Sequence, residues 1–192
     1  MKKSISELAV ESGMIVLSVL LALAASNWAD SRREDALVAQ ARTSFALELR
    51  ANRTRVAKVL PYHQALTAAV LAVDSTGGVT SYAAWHQRVP IWSGFAPPDV
   101  AATAWQSAIA TGALAHMRYP DVAAVSTAYT LQGKVDAFNA SYIPLFDFSD
   151  PAMPATVRRM RAYMQTVVVY ETALMADYDS ALVRLDGPDH TP

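Results

Sequence analysis

Between Gly13 and Pro61 the chain contains neither glycine nor proline. No other feature limits its fold so tightly, because these two residues are the usual punctuation of helices and turns. The stretch opens on the apolar run MIVLSVLLALAA from Met14. It then continues as ADSRREDALVAQARTSFALELRANRTRVAKVL without a breaker. This is the pattern of one long helix whose beginning is apolar on every side and whose remainder is amphipathic.

The uninterrupted apolar part, Met14 to Ala25, is short for a membrane span of about 20 residues. Extension from Leu8 to Trp28 reaches that length and takes in Glu11 and Ser12 near one edge. Trp28 stands where an interfacial aromatic anchor belongs. A cleaved signal peptide is the competing reading, with Lys2 and Lys3 as its basic start and Ala22-Leu23-Ala24 as its small-residue site. Glu7 and Glu11 before the apolar run, and the helical pattern beyond Trp28, favour a retained anchor. The expected organisation is therefore a membrane anchor over 1–29, a helical domain over 30–187 and a short tail over 188–192. Lys2 and Lys3 place the N-terminus in the cytoplasm, while Arg32 and Arg33 pull the other way. Long domains translocate largely regardless of charge, so the expected location is the inner membrane, single-pass, with the domain in the periplasm.

Beyond Ala36 the apolar positions follow one stripe. Leu37, Ala41, Phe45 and Leu49 step by four, and Asn52, Val56, Val59, His63, Leu66, Val70 and Val73 alternate three and four. Pro61 lacks the amide that would bond to the Ala57 carbonyl, so a kink is expected there. Asp74 to Gly78 then supplies turn chemistry. A short helix is predicted over 81–88, followed by an irregular segment bearing Pro90, Gly94, Pro97 and Pro98. A further helix starts near Asp99, carrying Val100, Trp105, Ile109 and Leu114, with Gly112 as a break. Pro120-Asp121 opens another, running to about Tyr142 with Val122, Val125, Tyr129, Gln132, Val135 and Phe138 on one side. Asp150-Pro151 reads as the cap and first residue of the last helix, which Gly187-Pro188 ends. There Val157, Met160, Met164, Val167, Glu171, Leu174, Tyr178, Ala181 and Leu185 form a heptad-like seam. The fold class predicted is all-α: a transmembrane helix continuing into an up-and-down bundle with an aromatic-rich irregular insert.

Chemistry leaves few marks. A net charge of −1 argues against nucleic acid as a partner. The absence of cysteine excludes disulfides, thiolate metal sites and a Cys nucleophile. The histidines His63, His86, His116 and His190 stand in no metal-ligand spacing, and no Glu-x-x-His pair of the di-iron kind occurs, so no metal and no cofactor is expected. Ser93-Gly94 after Trp92 is only a fragment of a nucleophile elbow, and Gly77-Gly78 leads into no phosphate loop. The expectation is a protein that is not an enzyme.

Three groups of residues remain. Asn52, His63 and Glu171 interrupt apolar seams and suggest a buried polar layer. Arg50, Arg53 and Arg55 are the candidate partners of the carboxylate. A ligand switch and a register-setting contact both fit such a layer, and the second is the commoner use. Tyr82, Trp85, His86, Trp92, Phe95 and Trp105 gather aromatic surface that suits either a ligand or partner pocket or a buried cap. Ser18, Ala22 and Ser26 recur every four residues in the membrane segment and would permit close helix association. Arg158, Arg159 and Arg161 open the last helix, where a solvated face is the simpler reading than contact with acidic groups or lipid phosphates.

The run Glu11-x-Gly13-Met14-Ile15-Val16-Leu17 leads into Leu21-Ala22-Leu23, then Asn27-Trp28 and Arg32-Arg33-Glu34. With Phe45 to Asn52, Trp105-Gln106-Ser107-Ala108 and Thr111-Gly112-Ala113-Leu114, it resembles a family of uncharacterised bacterial membrane proteins. What the resemblance implies is architecture, one N-terminal membrane helix continuing into a helical domain, with Glu11 and Asn52 as features of the family. The expected function is a non-catalytic interaction domain of the bacterial envelope, partnered by the bilayer and by a protein or a second copy. A bundle that senses or carries a small molecule near the aromatic segment is the alternative.

Overall fold

A computed structural model describes the backbone of residues 5–73 and 78–187, with side chains from Val10 onward. Lys2, Lys3, the Glu7 side chain, the 74–77 turn, His190 and the whole 188–192 tail lie outside the described residues.

The order is α1 (Ile5–Ala72), α2 (Tyr82–Arg88), α3 (Thr103–Thr111), α4 (Tyr119–Tyr142) and α5 (Met153–Asp186). Short 3-10 turns occupy Ala113–Ala115, Ile143–Leu145 and Asp150–Ala152, and no strand occurs among the described residues. The architecture is all-α, and one long apolar N-terminal helix runs into the helical region.

Cross-chain contacts give the arrangement. Arg42 donates to the Leu185 carbonyl, Arg53 pairs with Asp179, His63 meets Glu171, and Arg161 donates to the Val73 carbonyl. Partner numbers fall on α5 as they rise on α1, so the two helices are antiparallel. Asp121 lies against Arg42, Tyr129 against Glu48 and Gln132 against Asn52, so α4 runs parallel to α1. Helix α3 returns toward the start of the bundle, its first turn bonded to Glu48 and its later residues lining a cleft with Leu37 and Gln40.

Two apolar cores result. Phe45, Leu49, Val56, Ala104, Ala108, Val125, Ala128, Leu174 and Ala181 fill the half nearer the apolar end of α1. Leu66, Val70, Trp85, Met153, Met160, Met164 and Val167 fill the far half. Every residue of the seam read on the last helix is buried, Glu171 included. On α1, Leu37 and Val59 are half-buried and the other seam positions from Ala41 to Val73 are buried.

Helix α1 runs on through Pro61 to Ala72. Local expectations needed correction at three places. Helix α3 begins at Thr103 rather than near Asp99, because 99–102 stays non-helical and its backbone is bonded to α1 instead. Its core-facing residues are Ala104 and Ala108, whereas Ile109 is exposed. Helix α5 begins at Met153, and the Asp150 carboxylate accepts from the Tyr82 amide at 3.0 Å rather than capping its own helix. Gly112 does break the chain: it closes α3 with φ +73°, a left-handed conformation that glycine adopts without strain.

Candidate functional site

The segment 89–102 contains Pro90, Pro97 and Pro98, cannot be helical, and descends beside α1 from the far core to the start of α3. Backbone placed between helices must find partners for its N–H and C=O groups or lose the hydrogen bonds that water supplied. Polar residues on the helices provide them at two levels.

At the upper level, consecutive residues of α1 clamp Ser93 to Phe95. The Tyr62 hydroxyl accepts from the Ser93 amide at 3.0 Å and donates to the Gly94 carbonyl at 2.7 Å. His63 Nε2 lies 2.8 Å from the Phe95 carbonyl, which can only accept, so the proton is on Nε2. Nδ1 stands 2.8 Å from both Glu171 oxygens. That contact requires one proton between ring and carboxyl group, carried as an imidazolium–carboxylate pair or on the acid itself. Both side chains are about 1% exposed, at the boundary between the two apolar cores.

At the lower level, Asn52 Nδ2 donates to the Ala101 carbonyl at 2.7 Å, and Asn52 Oδ1 accepts from the Ala101 amide at 2.9 Å. Gln132 Nε2 donates to the same carbonyl at 3.0 Å, and its Oε1 accepts from Asn52 and from the Tyr178 hydroxyl. One level further down, Glu48 accepts from the Ala104 amide at 3.1 Å and from the Tyr129 hydroxyl at 2.6 Å. A carboxylate from α1 thus caps the start of α3, which has no side-chain cap of its own. Glu48 also borders a surface groove of about 460 Å³ lined in part by Leu47, Arg55 and Ser107.

Burial pushes the phenols of Tyr129, Tyr163 and Tyr178 far above the ordinary tyrosine range. The nearby carboxylates add to this, Glu48 for Tyr129, Glu171 for Tyr163, and Asp136 with Glu48 for Tyr178. Each of the three hydroxyls is a hydrogen-bond donor, Tyr129 to Glu48, Tyr163 to Asn139 and Tyr178 to Gln132.

Asn52, His63 and Glu171 are therefore buried polar residues, as the seam positions suggested, but they form two layers and not one. The arginine partners assigned to Glu171 are corrected. Arg50 pairs with Asp186, Arg53 with Asp179, and Arg55 donates to Asn52. The antiparallel register puts residue 63 opposite 171 and leaves the arginines opposite the last turns of α5. Arg159 and Arg161 are not simply solvated: they donate to the Leu145 and Val73 carbonyls.

The aromatic group divides. Trp85, Trp92 and Phe95 join Phe146, Phe148 and Tyr163 in the far core. Tyr82 and His86 lie at its edge, hydrogen-bonded to each other at 2.9 Å. Trp105 is elsewhere, stacked on Tyr129 at 5.6 Å between centroids and tilted against Phe45. The gathering therefore belongs to two cores. The Trp85 indole N–H is buried and has no hydrogen-bond partner among the described residues.

Ser18, Ala22 and Ser26 lie on the exposed first half of α1, where the Ser18 hydroxyl donates to its own helix at the Met14 carbonyl. Among the described residues no three His, Asp or Glu side chains are grouped to hold a metal ion.

Sequence reasoning passed over Glu48, Tyr62 and Asp121. Asp121 is buried between Arg42 and Arg118, and Arg42 also donates to the Leu185 carbonyl at the end of α5. None of these stood on an apolar seam. Gln132 did, and the seam was its signal. No family model, curated protein or solved structure matches this chain.

Proposed function

We propose that the protein is a single-pass, membrane-anchored helical interaction module without catalytic activity, displayed from the bacterial inner membrane into the periplasm. The continuity of α1 carries this reading. Val10, Met14, Ile15, Leu17, Leu20, Leu21 and Leu23 are all exposed, whereas residues from Ala41 of the same helix are the spine of the bundle. A helix that is apolar all round needs an apolar solvent, and a bilayer supplies it. The buried polar groups are engaged in holding the 89–102 segment, which supports a shaped scaffold rather than a reacting site. Self-association along Ser18, Ala22 and Ser26, or a protein docked on the outer faces of the bundle, is the work we assign to it.

Alkaline phosphatase and a green fluorescent protein, each fused after Pro192 in a Gram-negative host, test the orientation. The expected result is phosphatase activity with dark fluorescence. The reverse pattern overturns the periplasmic placement, and release of the chain by alkaline carbonate overturns the anchor.

The unpartnered Trp85 indole N–H favours one second reading, a small molecule held within the aromatic cluster. A reproducible thermal shift with a metabolite, lost in Trp85→Ala, would support it, and no shift across the library would remove it.

A further inference from the structure

The start of the bundle lies close to the end of the apolar run. His116 Nδ1 stands 3.4 Å from Glu34, six residues after Trp28. At 1.5 Å per residue that is about 9 Å along α1. The headgroup layer beyond the hydrocarbon is itself about 5–7 Å deep. The face of the bundle around His116 is thus held at the outer edge of that layer by a continuous helix. Helix α4 starts on this face and runs parallel to α1, so its first side chains lean back toward the apolar end. The first of them is Tyr119, which is 83% exposed and is the most exposed of the large apolar and aromatic side chains described. A helix tilt of about 20° toward α4 lowers this face by about a further 3 Å at an interaxial offset of about 10 Å.

Resting on the membrane-anchor reading above, we propose that the face from Ala115 to Tyr119 sits on the lipid headgroups of the same membrane, with Tyr119 as a second interfacial anchor beside Trp28. Tyrosine suits that depth because its ring is apolar and its hydroxyl is polar. Of the charged groups nearby, Arg33 pairs with Asp30, Arg118 with Asp121, and His116 lies against Glu34, while Arg32, over the Trp28 ring, and Asp35 are of opposite sign, so no single charge dominates the face. Docking through the aromatic side chain therefore needs no anionic lipid, and it fixes the tilt of the bundle on its single helix.

The chain has no cysteine, so single labels are clean. The full chain is reconstituted in phosphatidylcholine vesicles with an environment-sensitive fluorophore at Leu21→Cys, Ala115→Cys or Leu145→Cys, all exposed positions. Lipids carrying quenchers at the headgroup or mid-chain report depth. Mid-chain quenching is expected at 21, headgroup quenching at 115 and none at 145, with no change when phosphatidylglycerol is added. Tyr119→Ser should weaken quenching at 115 by roughly twofold or more while leaving 21 unchanged. A label at 115 that behaves like the one at 145, or is indifferent to Tyr119→Ser, overturns the docking while 21 remains quenched. A label at 21 that is not quenched overturns the membrane reading itself.

Discussion

Asn52 shows why a polar residue on an apolar stripe is worth its burial. Its amide both donates to and accepts from Ala101, besides donating to Gln132 and accepting from Arg55, so truncation removes four hydrogen bonds at once and leaves a part-buried backbone N–H with no acceptor. Asn52→Ala is expected to destabilise the fold by roughly 1–3 kcal/mol in urea unfolding. Gln132→Ala should act on the same carbonyl, and the pair should be non-additive in a double-mutant cycle. For His63 and Glu171 the asymmetry is larger. Glu171→Leu alone strands the imidazole in an apolar surround and should cost about 3–5 kcal/mol. The double variant His63→Leu with Glu171→Leu should cost clearly less than the two singles added, because no buried polar side chain is left unmatched. A double variant that costs as much as the two singles added together would refute the pairing. Alkali tests the tyrosines. Their folded-state affinity for the proton is raised, so their contribution is complete below the unfolded value near 10 and falls as pH rises beyond it. Tyr129, Tyr163 and Tyr178 should ionise only as helical circular dichroism is lost. Ionisation of all eight tyrosines ahead of unfolding would contradict the burial.

At the level of elements, the helices and the presence of the non-helical segment were legible, and the path of that segment was not. Every position that periodicity marks on α5 is buried, because a long helix between two others repeats one inward stripe over many turns, though Met153, Thr156, Tyr163 and Leu182 beside that stripe are buried too. The same logic found His63, Asn52 and Glu171 as departures from the pattern, and placed Gln132 on the inward side of its helix without singling it out. It did not find their partners, since which helix faces which, and in what register, is set by connections and not by spacing. Hence Arg50, Arg53 and Arg55 were plausible for Glu171 and wrong. Glu48 and Tyr62 were illegible for a further reason: their partners are main-chain atoms of residues 93–104, and sequence does not say where that backbone runs. Gly112 is the opposite case, a single residue whose role is conformational. Replacement by alanine places a side chain at φ +73° and should cost about 1–2 kcal/mol. An unchanged midpoint in urea would mean that the turn between α3 and the following 3-10 residues relaxes without strain.

For the molecule as a whole, the decisive property is that one helix serves two environments. Residues from Ala41 to Val73 bury one face against α3, α4 and α5, while from Val10 to Trp28 every described side chain is exposed. The two halves share backbone and nothing else, so stability and membrane attachment should be separable. Deletion of residues 1–28 should release the protein from the membrane fraction into the soluble one. It should leave the thermal midpoint of the remaining chain equal to that of the full chain in detergent, since no core contact is lost. If the truncated chain stays with the membrane, another surface holds it there and the anchor assignment fails. If it is released but melts lower or aggregates, the apolar half is covered by the protein itself. In that case the exposed residues from Val10 to Leu23 belong to an interface between copies rather than to lipid contact alone. Retained stability with lost attachment is the result that the continuous, exposed first half of α1 requires.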